Sequence, residues 1–409
     1  MPESTTQPVD WHRPSNRGFP AAPGSSMSQS VRSSQPTRTR FFAQLPSPVP
    51  QRRRFGPPAW WSIMRLRSAT PEEVARWDTL VLGNPGGGDL LQSTFFAEQK
   101  RANGWVPRFM VYDGEPRIHA LFLVKKVYGL GQLWYCPKGP GVDDAGILDA
   151  IADANADYAR DHREVFLFKL EPEVPAGSPL PSSFIAVQPV QPNVHTIIVD
   201  LAPDEEEIFA SFRQRGRRSV RKAEKQGITV EGRPATAETM ELMYDLYRET
   251  AERGGFYLRD LDYYRHFWSS AAERGFGSFH FALRDDEPVA GIFVTRFGTK
   301  GLYKDGASSQ AIGNTGAPYL LQWEVMKHLK SVGVTSYDLH TTPPPEAMED
   351  KDHPSYGLGQ FKSGFSNEIV SFVGTVDQPV RKLPYYLWER IGERVALSLS
   401  YRLRHRLFF

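Results

Sequence analysis

The sequence predicts an α/β (α+β) fold made of two successive units of similar size. Length is the first observation, because 409 residues are enough for two domains. The second is the crossover at 301–341: strand Gly301–Tyr303, a polar loop from Asp305, a helix opening at Ala317-Pro318 and strand Val334–Leu339. A loop at the carboxyl end of a strand is the usual ligand position in open α/β sheets.

The first unit is predicted from helix and strand signals that alternate up to residue 170. Thr70-Pro71-Glu72-Glu73 is a capping box with proline in the first turn, and Asn84-Pro85 ends the helix that it begins. The remaining elements are a helix over 95–103, strands over 105–112, 118–127 and 133–136, a helix over 147–160 and a strand over 165–170.

A second, similar unit opens with a strand over 193–201. One long helix follows, which begins with acidic residues at Asp204 and ends in a basic stretch at Lys225. The remaining elements are helices over 237–252 and 261–274, strands over 278–283 and 288–297, the crossover at 301–341 and a strand over 369–376. No exact sequence repeat accompanies this apparent duplication.

Residues 1–63 differ in composition from the rest of the chain. They hold eleven of the 33 prolines and eight arginines against two acids, which predicts a disordered basic tail. Such a tail could contact RNA or membrane phosphates, and an inert extension is the favoured interpretation. The remaining chain carries 41 basic and 45 acidic side chains, which excludes a generally basic nucleic-acid binder.

Cysteine, histidine and apolar patterns narrow the class of protein further. The single cysteine, Cys136, excludes disulfides within the chain and favours a reducing compartment. The ten histidines show no zinc-ligand spacing, so no metal site is expected. No apolar run approaches the roughly 20 residues of a membrane span, and no secretory h-region is present at the N-terminus. We therefore expect a cytoplasmic protein.

A dense group of cations lies between residues 213 and 225, where only Glu224 opposes it. An acidic start and a basic end suit a helix dipole, so a solvated face is one interpretation. Seven cations within about four turns exceed what capping needs, which favours a phosphate-rich partner. The candidates for phosphate contact are Arg213, Arg217, Arg218, Arg221 and Lys222.

Two stretches nearer the C-terminus combine cations with apolar side chains. Phe361-Lys362-Ser363-Gly364-Phe365 places an ammonium on an apolar, tightly turned segment. Residues 385–409 mix aromatic side chains with five arginines, a composition typical of a basic amphipathic helix. That helix can lie on an anionic membrane surface or dock on the first unit, and docking is slightly favoured.

From about Met64 to the C-terminal region, the chain resembles the FemABX peptidoglycan aminoacyltransferases. The motifs that carry the resemblance, in chain order, are Gln92-Ser93 with Lys100 and Gly104-Trp105, Lys138-Gly139-Pro140, Glu171-Pro172-Glu173, Ser219-Val220-Arg221-Lys222-Ala223, Gly306-Ala307-Ser308, Ala317-Pro318-Tyr319, Tyr337-Asp338 and Phe361-Lys362 with Phe365. Each motif alone is weak, and their shared order makes the match specific.

The resemblance implies two tandem GNAT-like acyltransferase domains. The first would span 64–199, with 375–409 returning to it, and the second 200–374. Some members insert a long helical hairpin in the second domain. Only a few residues separate Arg253 from Arg259, so the compact form is implied.

These enzymes use aminoacyl-tRNA to acylate the side-chain amine of the third stem-peptide residue, on UDP-MurNAc-pentapeptide or a lipid-linked muropeptide. The resemblance therefore implies a location in the cytoplasm, with the inner face of the plasma membrane as a second option. Glycine, alanine and serine remain open as the transferred residue, and the oligomeric state also remains open. No cofactor is expected, because the tRNA ester is already activated.

The family match assigns Lys362 to stabilisation of the tetrahedral oxyanion. Glu171 falls on the family's acidic position after a strand, and Asp305 is another carboxylate that could accept the proton lost by the amine. A structural carboxylate is the competing interpretation of Glu171. The leaving ribose can also accept that proton, so a single base is not required.

Lys100 and Arg259 match the positions that hold the acceptor's phosphates, and Tyr263 lies one helical turn after Arg259. Ordinary surface groups are the alternative interpretation. Some relatives carry a tyrosine directly before the Gly-Ala-Ser motif, where this chain has Asp305. Tyr303 lies two residues earlier on the same strand face and is a substrate-binding candidate, while the way the substrate is contacted at this position stays open.

Two other functions compete with this assignment. An acyl-CoA-dependent GNAT enzyme normally has a Gly-rich turn that cradles pyrophosphate on backbone N–H groups, and Ile312-Gly313-Asn314-Thr315-Gly316 is a poor match for it. A non-catalytic RNA-binding protein would use the basic tail and the Arg-rich helix. The acidic remainder of the chain and the order of the motifs argue against it.

Overall fold

A computed structural model describes residues 64–395 apart from Tyr257. The tail predicted over 1–63 and the predicted segment beyond 395 lie outside these residues. The first half contains β1 (Arg65–Ser68), α1 (Pro71–Ala75), α2 (Trp77–Leu82), α3 (Thr94–Ala102), β2 (Val106–Asp113), β3 (Ile118–Val127), β4 (Gly131–Cys136), α4 (Leu148–Asp161), β5 (Val165–Leu170) and β6 (Ile185–Ala186).

The second half continues in the same alternating style. It contains β7 (His195–Asp200), α5 (Glu205–Ser211), α6 (Gln214–Lys225), β8 (Thr229–Arg233), α7 (Ala237–Gly254), α8 (Leu261–Glu273), β9 (Gly277–Arg284), β10 (Glu287–Phe297), β11 (Lys300–Ser308), α9 (Ala317–Ser331), β12 (Ser336–Thr341), α10 (Tyr356–Lys362), β13 (Val370–Ser371), β14 (Val376–Pro379) and α11 (Lys382–Leu387).

Two seven-stranded sheets organise the described residues, which confirms the predicted fold class. The first sheet has the strand order β1-β2-β3-β4-β5-β14-β6 and the second the order β13-β7-β12-β11-β10-β9-β8. β4 and β5 run parallel in the first sheet, as β11 and β12 do in the second. Strand β7 crosses the domain boundary predicted after residue 199, and it pairs within the second sheet.

The chain returns to the first sheet near its C-terminal end, because β14 pairs with both β5 and β6. An ion pair buried at 1% and 3% exposure joins Lys169 Nζ to Asp377 Oδ1 at 2.8 Å. Gln378 Nε2 donates to the carbonyl of Ala152 in α4 at 2.7 Å. These polar contacts fix β14 where an unpaired buried charge would be costly, and so complete the first domain.

Three apolar cores fill the layers. One joins α4 to one face of the first sheet, and a second joins α6 and α9 to one face of the second sheet. The third joins the remaining faces, so that Phe95 of α3 contacts Phe267 and Phe276 beside the second sheet. The two domains therefore share one apolar core.

Two helices predicted as single elements are each divided. The helix predicted from Thr70 to Asn84 breaks at Arg76, and the acidic-to-basic helix breaks at Phe212, whose ψ is 147°. Phe212 is 1% exposed and packs edge-on against Trp323 and Phe365. Burial of this ring overrides helical continuity, so the acidic end and the basic stretch belong to different helices.

Two predictions of local structure near the crossover, one loop and one strand, are also wrong. The loop predicted from Asp305 is a continuation of β11, whose ladder with β10 extends to the pair Ala290–Ser308. The strand predicted over 369–376 is two short strands in different sheets, β13 and β14. In both cases tertiary pairing overrides the local turn composition.

The second domain has the compact form. Residues 255–260 alone separate α7 from α8. Gly255, with φ of +65°, ends α7 in the left-handed conformation that glycine adopts readily.

Candidate active site

The second sheet opens into a wedge between its two parallel strands. β11 and β12 pair only from Lys300–Leu302 to Ser336–Asp338, although both strands continue. In the first sheet, β4 and β5 remain paired up to Cys136 and Leu170. Backbone groups beyond the last pair in the second sheet are left without a strand partner on that side. The wedge thus leaves backbone groups of both strands available to side chains from other elements.

A local distortion of β12 accompanies the wedge. The register between β12 and β7 shifts between Asp338 and Thr341, and His340 has a φ of +65°. Asp338 Oδ1 accepts from the His340 backbone N–H at 2.6 Å and from the Thr196 hydroxyl. The side chain of Asp338 therefore holds a backbone conformation that costs about 1–3 kcal/mol for a residue other than glycine.

Lys362, the last residue of α10, reaches the wedge. Its side chain is 2% exposed, and Nζ donates to the carbonyl of Thr341 at 2.8 Å. The same nitrogen lies 5.5 Å from the ring centroid of Tyr303 on the other wedge strand. Burial lowers the pKa of Lys362 to about 7, and the carboxylate of Asp338 partly opposes that shift. An ammonium with few partners thus lies between the separating strands.

Tyr303 and Asp305 flank the wedge on β11. A Cβ at Gly306 would lie 1.8 Å from the Tyr303 hydroxyl, so the missing side chain leaves room for the phenol. Burial and Asp305 raise the pKa of Tyr303 to about 12, so it remains a hydrogen-bond donor. Asp305 is 4% exposed and accepts from Trp268 Nε1 at 2.9 Å and from Lys304 Nζ at 3.2 Å.

Glu171 has a donor-rich environment at the end of β5. Its Oε2 accepts from the Tyr135 hydroxyl at 2.7 Å and from the Lys138 backbone N–H at 3.3 Å. Its Oε1 accepts from the Gln191 backbone N–H at 3.0 Å and from the Thr375 hydroxyl at 2.8 Å. These contacts suit a carboxylate that joins the first domain to the returning C-terminal segment, and a proton-transfer role for Glu171 stays a prediction.

The predicted phosphate-binding pair comes from both domains. Lys100 lies on α3 and Arg259 precedes α8, with the Arg259 guanidinium 4.2 Å from the ring centroid of Tyr263. Burial and the positive charge of Arg259 together lower the pKa of Lys100 to about 8, and the charge of Glu171 partly opposes that shift. Neither cation forms an ion pair with any other described residue. Two cations that repel each other are suited to holding an anion between them.

Other cations, which the sequence alone does not assign to the site, connect these groups. Lys304 is ion-paired to Asp305, and the positive charge of Arg259 acts to lower the pKa of Lys304. Burial and the charges of Lys362, Lys304 and Lys138 hold the pKa of His340 well below its usual value. The wedge and the phosphate-binding pair thus belong to one electropositive region. In the sequence, Lys304 lies directly between the candidates Tyr303 and Asp305, and this position is the signal that could have identified it as a site residue.

Glu173 joins cations of both domains. Its carboxylate pairs with Lys138 Nζ at 3.0 Å and with Lys300 Nζ of β11 at 3.4 Å. Lys300 Nζ also donates to the Gly86 carbonyl at 3.0 Å. Burial of these charges is tolerated because they are paired, and the pairs help fix one domain against the other.

The basic helix α6 presents two kinds of cation. Arg213, Arg218 and Arg221 are exposed, and Lys222 is half-buried. Arg217 instead donates to the carbonyls of Ala210, at 2.7 Å, and Phe212. That bonding satisfies the end of α5, so Arg217 has a structural use of its own.

Two features are absent from the described residues. In this part of the chain, no group of three or more His, Cys, Asp or Glu side chains is arranged to hold a metal ion. None of the helices described here is both long and apolar enough to cross a membrane.

Comparison with known proteins supports an acyltransferase of the GNAT class. The model of the acetyltransferase (GNAT) domain matches residues 210–351, which include the wedge strands β11 and β12. The solved structure of FemX has a TM-score of 0.67 at 24% identity, covering 80% of this chain and 100% of that one, and so shares the fold. The protein is therefore an acyltransferase built from tandem GNAT domains.

Curated relatives carry the comparison further. The lipid II:glycine glycyltransferases of Staphylococcus aureus strains MRSA252 and USA300 are each 25% identical over 418 residues. The alignment covers 80% of this chain and 97% of each relative. The chain is a homologue of these transferases, and its resemblance to the FemABX aminoacyltransferases is confirmed.

Proposed function

We propose that the protein transfers glycine, alanine or serine from aminoacyl-tRNA to the side-chain amine of the third stem-peptide residue of a peptidoglycan precursor. The observation that carries this proposal is the buried ammonium of Lys362 between the separating strands β11 and β12. The homologous proteins are named lipid II:glycine glycyltransferases. This homology supports a peptidoglycan precursor as the class of acceptor.

The reaction needs position and charge more than it needs chemical activation. The acceptor amine attacks the ester carbonyl, a C–N bond forms, and the tetrahedral carbon bears an oxyanion. The Lys362 ammonium faces that oxyanion, with one N–H held by Thr341 and others free to donate. Collapse breaks the C–O bond to the ribose, whose oxygen takes up the proton that the amine has lost. Asp305 and Glu171 are the proposed alternative proton acceptors.

Phosphate groups of the acceptor are assigned to Lys100 and Arg259. Arg259 donates in a fixed plane that Tyr263 supports by ring contact, and Lys100 supplies a second charge from the other domain. Tyr303 would contact the acceptor or the aminoacyl group beside them. Because Lys100 lies on α3 and Arg259 precedes α8, a bound diphosphate would contact both domains.

Exposed cations of α6 are assigned to the tRNA. Arg213, Arg218 and Arg221 are exposed, and a basic helix of this kind contacts phosphates irrespective of base sequence. Lys222 and Arg217 complete the proposed contact set, although Arg217 already serves the end of α5. The acidic remainder of the body confines tRNA contact to this local patch.

A membrane contact is proposed for the C-terminal segment. Trp388 is fully buried against Phe166, which docks one face of the segment on the first domain. Leu383 and Ile391 of the same segment are 70% and 62% exposed. Arg390 and further arginines in the sequence flank these side chains, as in helices that lie on anionic lipid. A cytoplasmic protein that visits the inner membrane surface would fit a lipid-linked acceptor.

A cell-free assay tests the proposal. Purified protein is incubated with tRNA charged with glycine, alanine or serine, and with either UDP-MurNAc-pentapeptide or a lipid-linked muropeptide. Mass spectrometry should show an added aminoacyl group at the third stem residue for at least one combination. No transfer from any charged tRNA, together with acetyl transfer from acetyl-CoA to an amine, would replace this proposal with an acyl-CoA-dependent activity.

A further inference from the structure

Arg215 points away from the exposed face of the basic helix, towards the short helix that carries Lys362. Its guanidinium donates to Gln360 Oε1 at 2.9 Å, to the Gln360 carbonyl and to the Ser363 hydroxyl. These acceptors lie two residues before and one residue after Lys362. Arg215 thus holds both sides of the turn from which the Lys362 side chain extends.

The hydrogen bonds from Arg215 satisfy polar groups at the end of α10. A helix of seven residues is marginal on its own, and its last four carbonyls have no partner within the helix. The Gln360 carbonyl is one of those groups, and Arg215 donates to it from a different element, beside a longer hydrogen bond of 3.3 Å from the Ser363 hydroxyl. A guanidinium is suited to the task because its planar fork can bond several oxygens at once.

Close backbone contact reinforces the arrangement. The Arg213 backbone N–H donates to the Gly364 carbonyl at 3.0 Å. A Cβ at Gly216 would lie 2.3 Å from that carbonyl oxygen, and a Cβ at Gly364 would lie 2.4 Å from the Tyr319 ring. The start of α6 and the turn after Lys362 therefore approach to a distance that only glycine permits.

We propose that Arg215 is a positioning residue, which fixes the end of α10 so that the Lys362 nitrogen stays on the Thr341 carbonyl inside the wedge. Helix α6 then has two separate tasks. Its exposed arginines contact the tRNA, and its inward arginine sets the geometry of the transfer step. This inference rests on the proposed aminoacyl transfer for its kinetic consequence, whereas its structural part concerns the placement of Lys362 alone.

The test compares Arg215→Met with Arg218→Met, a matched loss of one charge on the exposed face of the same helix. For Arg215→Met we expect kcat to fall roughly 10- to 100-fold with little change in KM for aminoacyl-tRNA, because small misplacements at a reacting centre have effects of that size. For Arg218→Met we expect the reverse division, with KM raised and kcat retained.

A second readout does not depend on the reaction. Competitive labelling of lysines with acetic anhydride, read by mass spectrometry across pH, reports the pKa and accessibility of Lys362 directly. In Arg215→Met, labelling of Lys362 should titrate at a higher pH than in the unmodified protein, and at high pH, where the amine is neutral in both proteins, it should be faster, as its nitrogen leaves the buried position. Ser363→Ala, which removes one acceptor of the fork and spares the arginine, should produce the same change in smaller measure.

Each possible result either supports or overturns the proposed role of Arg215. Unchanged Lys362 labelling in folded Arg215→Met protein would overturn the proposal, and so would a kinetic defect confined to KM. Should Arg215→Met fail to fold, unchanged labelling and kcat in Ser363→Ala would overturn it instead. If the unmodified protein transfers no aminoacyl group, the proposed function fails, and the labelling result still decides whether Arg215 positions the lysine.

Discussion

Lys362 combines two properties that are costly to hold together, a buried position and a charge. Burial lowers its pKa to about 7, below the ordinary lysine value, so the unfolded chain binds more protons than the folded one between that pH and about 10. Stability should therefore rise with pH across this window. A lysine that opposes folding at neutral pH and yet is buried is better explained by chemistry than by stability.

The proposed role of Lys362 as a cation predicts a particular pH profile. Below about pH 7 the logarithm of the transfer rate should rise with a slope of about 1, because only the acceptor amine must lose a proton. Above that pH the slope should approach zero, because loss of the Lys362 charge offsets further deprotonation of the amine. Steady-state rates at saturating substrates measure both limbs.

The Asp338→Asn variant provides a second test of the pH profile. The carboxylate of Asp338 raises the pKa of Lys362, so its removal should move the break in the profile to lower pH. Slopes of about 2 below the break and about 1 above it would instead identify the neutral amine of Lys362 as a base, which is incompatible with the proposed oxyanion role.

The lowered pKa of Lys100 predicts that binding of the acceptor's diphosphate is coupled to proton uptake. UDP is a simple probe for this binding. The Lys100 pKa of about 8 should rise when an anion binds, so UDP should bind more weakly as pH rises through 8. Calorimetry in buffers of different ionisation enthalpy should detect proton uptake near that pH. Lys100→Ala should weaken UDP binding by roughly tenfold or more and abolish the uptake. Equal weakening by Arg101→Ala, the exposed neighbour, would show that only general charge matters.

At the scale of elements, the break between α5 and α6 gives different roles to arginines that the sequence alone does not distinguish. Arg218→Glu with Arg221→Glu should weaken tRNA binding and reduce its salt dependence with little change in melting temperature. Arg217→Glu should lower the melting temperature, because the carbonyls of Ala210 and Phe212 lose their donor. Filter binding across salt concentrations and thermal unfolding measure the two effects.

Arg248→Glu is the control for that comparison, since it reverses one charge, as each α6 substitution does, at a 59% exposed side chain on α7. Loss of tRNA affinity as large in this variant as in Arg218→Glu or Arg221→Glu alone would mean that binding follows net charge, and α6 would not be the contact site.

The elements also show how far sequence reasoning extends. The strands and helices of the crossover were predictable because their apolar period is regular, and the Lys362 segment was predictable because a cation between phenylalanines is unusual. The break at Phe212, the extension of β11 to Ser308 and the wedge were not. Each depends on a partner distant in the chain: Phe365 for the break, β10 for the extension, and the Asp338–Thr196 bond for the wedge.

For the whole molecule, the shared apolar core predicts that the two domains unfold together. Phe95 is 1% exposed and packs against rings on both Phe267 and Phe276 of the other domain. Phe95→Ala should lower the free energy of unfolding by roughly 3–5 kcal/mol while leaving a single thermal transition. Tyr128→Ala, at a 98% exposed ring, should change neither. Two separate calorimetric transitions in the unmodified protein would show that the shared core does not couple the domains.

A charged, buried lysine in the open parallel pair of the second sheet is proposed to stabilise the reaction's oxyanion, and the whole mechanism depends on it. The most direct measurement is single-turnover transfer from charged tRNA by Lys362→Met protein with UDP-MurNAc-pentapeptide or a lipid-linked muropeptide. We expect transfer to fall by about 100-fold or more, with tRNA binding and UDP binding retained and the melting temperature unchanged or raised, because a charge that opposes folding is removed. Transfer within about twofold of the unmodified protein would contradict this mechanism, since loss of one oxyanion donor typically lowers kcat by about 100- to 1,000-fold.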